Sequence, residues 1–520
     1  MTARKVSTSG ALERLGESVV RGGAWQSSSK VLAQIFTLVV SVVAARSLGP
    51  SGMGSFVFIV WVYTTLVALL AAGLPVAVNR YTAELLGSGN GSGIRRLYGW
   101  ARVVAAVAAA LGGGILVSIA LLGGEPRSAW FAAAVACSAS ILQTIPNAIL
   151  LGARWWQPAS VIGLASGFVG AIAKLALLGS GRGIAALLVV DAFVTAFNLV
   201  AATVYARRVV GAEAVAPAPP DLIERVRVYA LGSSLGAILT IIVLQRSEVF
   251  FLERFTDEVE IALYSIPFSA LEVLNFVPAT LGIAAGSAFA ALYGAEAFDR
   301  IGIGFGRAIR LTLLVTVPLT AASLALGPLA LRLAYGSAYE GTAPVLLVLV
   351  AVFPVVSLMF IGISLIQGYG RQRVFLLALL ASAIVGVALD LALIPSFGAL
   401  GAAWAKAGAQ TLLAVVLVTY ASRLAGGATW DLGALARITA VSFVAALAAL
   451  GPISVLRPLP GFLAAGVAFL VVFAVAAPLV RVIPARDADW LTHYVGNRLG
   501  GRLQTVVRNL SPRTLEAARR

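Results

Sequence analysis

The sequence predicts an all-α polytopic membrane protein with about fourteen transmembrane helices. Three observations carry that prediction. Sixty per cent of the 520 residues are apolar and only 12% are charged, against roughly 25% charged in a soluble domain. Mean hydropathy is +0.96, more apolar surface than a water-soluble chain can bury. The apolar residues fall in uncharged runs of about 20, the length a helix needs to cross a bilayer, whereas a transmembrane barrel would alternate over segments of about 10.

In chain order the spans are predicted at 25–45, 56–78, 99–122, 129–151, 158–178, 183–206, 229–252, 261–291, 308–331, 341–366, 373–394, 398–421, 434–456 and 460–480. A cytoplasmic segment, 1–24, precedes them with Arg4, Lys5, Arg14 and Arg21. The first span is too long for a signal-peptide core and no small-residue cleavage site follows cleanly, so it reads as an uncleaved helix. Trp25, Trp100, Trp130 and Trp155 sit at span ends, as an interfacial belt would. Residues 207–228 are polar and Pro-rich and read as a cytoplasmic linker between an N-lobe (25–206) and a C-lobe (229–421). The span 261–291 is long and carries Pro267 and Pro278, so a bent or broken helix is expected there, lining a cavity or buried in protein. Two further helices occupy 434–480. In the tail, 484–520, Leu491, Val495, Leu499, Leu503, Val506 and Leu510 recur at helical spacing with arginines between them. The tail therefore reads either as an amphipathic helix over 490–510 on the inner leaflet or as a plain surface helix.

Charge gives the orientation. With the N-terminus inside, cytoplasmic segments, with Arg310, Arg373 and Arg437 at the inner span ends counted among them, hold 27 of the 38 Lys and Arg, outer loops hold six (Arg46, Arg127, Arg182, Arg254, Arg332 and Arg457) and five lie deeper within spans. This positive-inside bias, with an even number of helices, puts both termini in the cytoplasm. Anionic headgroups then account for the +16 net charge without nucleic acid. A single cysteine, Cys137, allows no intrachain disulfide, and a single histidine, His493, leaves neither a His-based metal site nor a His-dependent triad.

Residues 152–207 laid on 368–423, an offset of 216 without gaps, match at fifteen of 56 positions, including Ser166/Ser382, Gly170/Gly386 and Leu175/Leu391. Composition alone would give about five or six. The offset relates the fifth and sixth spans to the eleventh and twelfth in the same orientation, so the lobes are expected to be parallel six-helix repeats around a central cavity. The last two helices fall outside the repeat. Such a fold suits a transporter whose lobes rock about the substrate; a two-lobed membrane scaffold is the alternative.

Charges inside spans need a reason, since one at mid-bilayer costs about 2.5–3.5 kcal/mol on insertion scales. Lys30, Arg102 and Arg80 lie near inner ends, where snorkelling to the headgroups is open to them. Lys174 and Asp390 are equivalents under the repeat; Asp191 and Lys406 are equivalents within one residue, so the signs are exchanged between lobes. Arg246 and Glu248 lie near the outer end of the seventh span and Glu272 lies mid-span in the eighth. Two readings stand: local structural ion pairs, or a wet cavity that meets a polar substrate. There is no GxxxxGK[ST] loop, so no self-contained ATP-driven pump is expected, and no catalytic constellation marks an enzyme.

The segment GAWQSSSKVLAQIFTLVVSVVAARSLGPSGMGSFVFIVW, followed by AAGLPVAVNRYTAE, resembles the opening of bacterial polysaccharide flippases. These carry lipid-linked oligosaccharides and belong to the polysaccharide transporter family of the multidrug/oligosaccharidyl-lipid/polysaccharide exporter (MOP) superfamily. LQRSEVFFLERFTDEVEIALYSIPFSALE resembles the start of their second lobe, with Glu248 where Asp is usual. LAYGSAYEGTAPVLLVLVAVF, LIQGYGRQRVFLL and LDLALIPSFGALGAAWA resemble their C-terminal region, with Asp390 where Asn is common. The resemblance, covering about 20–420, implies a flippase of the bacterial plasma membrane. It would move an undecaprenyl-diphosphate-linked oligosaccharide from the inner to the outer leaflet by alternating access. It implies a cavity, often cationic, in which Lys30, Arg80 and Arg246 would meet the diphosphate, with Glu248, Glu272 and Asp390 meeting sugar hydroxyls or titrating. No cofactor or metal is expected, and the cycle would couple to an H+ or Na+ gradient or to the membrane potential. Membrane lipids and glycan-assembly proteins are the expected partners. The alternatives are a peptidoglycan-precursor flippase, a cation-coupled exporter of the same superfamily or, outside transport, a membrane glycan polymerase or ligase.

Overall fold

The computed structural model describes residues 6–211, 217–427, 431–480 and 482, with side chains from residue 32 onward. The helix expected over 490–510 lies outside the described residues. The helices are α1 (Val6–Leu70), α2 (Leu74–Gly87), α3 (Gly91–Leu121), α4 (Arg127–Gly152), α5 (Trp156–Gly179), α6 (Ile184–Val210), α7 (Leu222–Leu244), α8 (Glu248–Phe255), α9 (Glu258–Gly294), α10 (Phe298–Tyr335), α11 (Thr342–Ala351), α12 (Phe353–Ser357), α13 (Met359–Gly368), α14 (Gln372–Leu424), α15 (Leu432–Val455) and α16 (Pro458–Leu479).

Among the described residues, eleven helices are long and apolar enough to span a membrane, or twelve when the pair Thr342–Ala351 and Phe353–Gly368, bent by 51°, is one span. Two of these are each a pair of helices joined at a non-helical glycine: α1 breaks at Gly49 (φ 71°) and α14 at Gly398 (φ 53°). Divided there, the spans number fourteen, in the order the hydropathy predicts. Positive φ is reached at little cost without a Cβ, so both breaks fall on glycine.

Two further breaks lie outside the proline-bearing span. α9 runs unbroken from Glu258 to Gly294 through both Pro267 and Pro278. The break lies one span earlier, where Gln245 takes an extended backbone (φ −88°, ψ −169°) and separates α7 from α8. The Ser247 hydroxyl donates to the Ile242 carbonyl at 2.7 Å. A polar side chain thus serves a carbonyl that the interrupted helix leaves without its backbone donor. The expected second span, 56–78, is likewise interrupted, at Gly73 between α1 and α2.

The chain forms two compact units, 1–265 and 266–520. In the first, α4 packs on α3 and α6 through Ala133, Ala136, Cys137, Ile141 and Ile145, all fully buried. Small residues let the backbones approach, and the Ser138 hydroxyl reaches the Ala109 carbonyl at 3.1 Å. In the second, α13 packs on α14, while α10 packs on α15 and α16. Two serines matched by the repeat act alike. Ser166 on α5 donates to Asn198 Oδ1 on α6 at 2.7 Å, and Ser382 donates across the α14 kink to the Ala409 carbonyl at 2.6 Å. The linker expected at 207–228 does not coincide with the boundary between units: α7 and α8 pack in the first unit, where α2 holds α7.

Candidate functional site

The intramembrane charges fall into four groups. In the first unit, Lys174 on α5 and Asp191 on α6 meet as an ion pair, Nζ to Oδ1 at 2.6 Å, with side chains only 16% and 18% exposed. The Lys174 ammonium also lies 5.9 Å from the centre of the Phe56 ring. The pair closes the hairpin between its two helices, so for these two residues the local pairing is realised.

The second group sits at the break. Glu248 opens α8 and is 3% exposed. The Tyr264 hydroxyl donates to Glu248 Oε2 at 2.8 Å. Arg246 is half-buried in the break itself, and its carbonyl accepts from Val249 N at 3.1 Å. Discontinuous helices place backbone polar groups and charged side chains together at membrane depth, the arrangement from which transporter sites are built.

The third group lies where α2 meets α7 in the first unit. Arg80 is exposed and lies over aromatics, its guanidinium carbon 4.4 Å from the Tyr229 ring centre and 5.6 Å from that of Tyr81. Tyr81 and Tyr229 meet edge to face at 6.1 Å. Arg225 Nη2 donates to Glu84 Oε1 at 2.6 Å. No ion pair to Arg80 is seen among the described residues, so the edge of its guanidinium remains available to an anion such as a phosphate.

The fourth group is in the second unit. Asp390 and Lys406 are 2% and 1% exposed. They stand eight residues before and after Gly398, on the two halves of α14, and so lie at matched depth, about 12 Å from the kink. Lys406 Nζ lies 5.3 Å from the Phe268 ring centre. Glu272, on α9, is half-buried. Lys30 lies in α1, and its side chain is outside the described residues. Among the described residues, no group of three or more His, Cys, Asp or Glu is placed to hold a metal ion.

Sequence reasoning missed Tyr264, Tyr229, the Glu84–Arg225 pair and Phe268. Their partners are 16, 149, 141 and 138 residues distant, beyond any periodicity. The α7–α8 break did have a signal, the polar run Gln245, Arg246, Ser247 and Glu248 inside an apolar span.

Residues 233–392 match the MatE family model. Among solved structures, the lipid II flippase MurJ in an inward closed conformation is similar with a TM-score of 0.68 at 11% identity, covering 87% of this chain and 98% of that one. An inward-facing multidrug resistance MATE family transporter of the MOP superfamily has a TM-score of 0.63 at 16% identity, covering 76% and 94%. A MOP superfamily transporter from Pyrococcus furiosus, described with a binding pocket of reversed polarity, has a TM-score of 0.57 at 15% identity, covering 79% and 95%. No curated protein matches this chain by sequence. The fold is that of the MOP-superfamily transporters.

Proposed function

We propose that the protein is a flippase that moves an undecaprenyl-diphosphate-linked oligosaccharide from the inner to the outer leaflet by alternating access. The observation that carries this reading is Arg80, an exposed arginine held over the Tyr229 ring and in no ion pair among the described residues, at the end of the bundle that the charge bias assigns to the inner side. A guanidinium held that way can take a phosphate bidentately, and a diphosphate is the charge that must leave the headgroup layer during flipping. The fold shared with a lipid II flippase supports transport of a lipid-linked substrate. Arg246, at the helix break, is the second cation assigned to the diphosphate, with Lys30 on α1. Glu248, Glu272 and Asp390 are assigned to sugar hydroxyls or to ion coupling, and Lys406 to the same polar set, while Lys174 and Asp191 hold each other across the α5–α6 hairpin. The buried acids Glu248 and Asp390 favour a second reading, a cation-coupled exporter of the same superfamily.

The protein is assigned to the bacterial plasma membrane with both termini inside, working beside glycan-assembly proteins and without a cofactor, its cycle coupled to H+, Na+ or the membrane potential. The test is reconstitution in liposomes with a defined undecaprenyl-diphosphate-linked sugar whose arrival in the far leaflet is read by an impermeant glycosidase or lectin. Flipping that falls by at least about tenfold in Arg80→Ala, the loss of one charge-assisted contact, supports the reading. Flipping indistinguishable from protein-free liposomes, with export of a lipophilic cation instead, favours the exporter.

A further inference from the structure

We propose that α2 and α7 form an inner gate, latched by the Glu84–Arg225 ion pair, which must part before substrate reaches the protein from the inner leaflet. This rests on the alternating-access reading above. In the repeat, α2 belongs to the first lobe and α7 opens the second, so a cycle that separates the lobes on the inner side has to separate these two helices.

They are zipped antiparallel along their inner halves. At the deep end, Gly73 (φ +76°) lies against the Ala230 carbonyl and Ser234, where a Cβ would not fit. The Ser234 hydroxyl donates to the Ala72 carbonyl at 2.7 Å. About two turns further along α2 toward the inner surface, Arg80 and Tyr81 meet Tyr229. At the surface, Glu84 takes Arg225 at 2.6 Å, while Arg225 also lies 5.2 Å from the Tyr81 ring centre and 3.9 Å from Asp221. The linker is tied to the same end: Asn90, whose Oδ1 caps α3 by accepting from Gly93 N, donates through Nδ2 to the Pro217 carbonyl at 3.0 Å. Arg96 donates to the Pro219 carbonyl at 3.2 Å. The α7 N-terminus is thereby aligned with the α2–α3 turn.

The contrast between two ion pairs points to a contact made to open. Lys174–Asp191 joins helices of one lobe and is shielded, with side chains 16% and 18% exposed. Glu84–Arg225 joins helices that the repeat assigns to different lobes, and its side chains are 41% and 43% exposed. Water can take over the second pair as it parts, so it holds the helices together only weakly and can be broken in every cycle. The polar contacts also grow more exposed toward the inner surface, the order in which an opening wedge would release them.

The test uses the full chain with Cys137 replaced by Ser and a single cysteine at Ala230, a buried α7 position whose carbonyl lies against Gly73. Inside-out vesicles are labelled with a membrane-impermeant maleimide. Glu84→Gln and Arg225→Gln each raise the labelling rate about two- to fivefold, the range of an exposed pair, and the exchange Glu84→Arg with Arg225→Glu returns it to the parent rate. Unchanged labelling in both single variants, or an exchange that labels as fast as they do, overturns the gate. In a second arm, cysteines at 84 and 225 are bridged by a short bifunctional maleimide, which is expected to stop transport. Transport at the unbridged rate after complete bridging also overturns it. The labelling arm needs no substrate. A gate that answers to the ion pair in a protein moving no lipid-linked oligosaccharide refutes the substrate reading alone.

Discussion

Asp191→Ala is expected to cost far more stability than its position on one helix of a hairpin would indicate. The substitution leaves the Lys174 ammonium, 16% exposed and previously 2.6 Å from its counter-ion, inside an apolar bundle. Breaking a buried pair by removing one partner costs about 3–5 kcal/mol, and a lone lysine at mid-bilayer about 2.5–3.5 kcal/mol on insertion scales. The residual exposure of both side chains favours the lower end, about 3 kcal/mol. In a unit spanning 1–265, with about 2–4 °C per kcal/mol for 150–250 residues, the unfolding midpoint falls by about 6–12 °C. The assay is thermal unfolding in detergent followed by labelling of Cys137, which is buried in the same unit. Two controls fix the interpretation. The exchange Lys174→Asp with Asp191→Lys restores most of the loss, because the pair is remade with its polarity reversed. Glu340→Ala, which removes the exposed Arg332–Glu340 pair at 3.4 Å, costs about 0–1 kcal/mol. If Asp191→Ala costs no more than Glu340→Ala, the pair is not a structural element of the hairpin, and the burial argument is wrong.

Arg246→Ala is expected to reduce flipping about 10- to 100-fold, the equivalent of one charge-assisted hydrogen bond of about 1.5–3 kcal/mol, with Arg246→Lys between it and the parent; liposome transport at the parent rate would make the residue an interfacial anchor. Gly73→Ala combines a positive φ with a Cβ driven onto the Ala230 carbonyl, and thermal unfolding should show a loss of about 1–3 kcal/mol. Gly87→Ala, with open space around it, should be neutral or better. The Glu253 carboxyl is held above its usual range by partial burial and by the Glu258 carboxylate. A raised folded-state value means that the folded chain binds the proton more tightly, so stability falls as pH rises through that range. Glu253→Gln therefore stabilises at neutral pH, and its advantage over the parent should vanish on acidification below the ordinary glutamate range.

The sequence by itself determined the solvent, the helix count and the order of spans. These follow from hydropathy summed over about 20 residues, a local property that no tertiary contact reverses. It also marked the ionisable residues, because a charge in an apolar run is conspicuous wherever it points. The partners were decided by tertiary structure. Lys174 and Asp191 carry charges that could equally have met a substrate or each other, and only the packing of α5 on α6 brings them to 2.6 Å. Arg80 could have snorkelled to the headgroups; its stack on Tyr229 exists because α7 lies along α2. The place where the backbone breaks was also decided by tertiary structure. Two prolines in α9 were accommodated without ending the helix, while α7 ends at the polar run 245–248, where the Ser247 hydroxyl serves the Ile242 carbonyl.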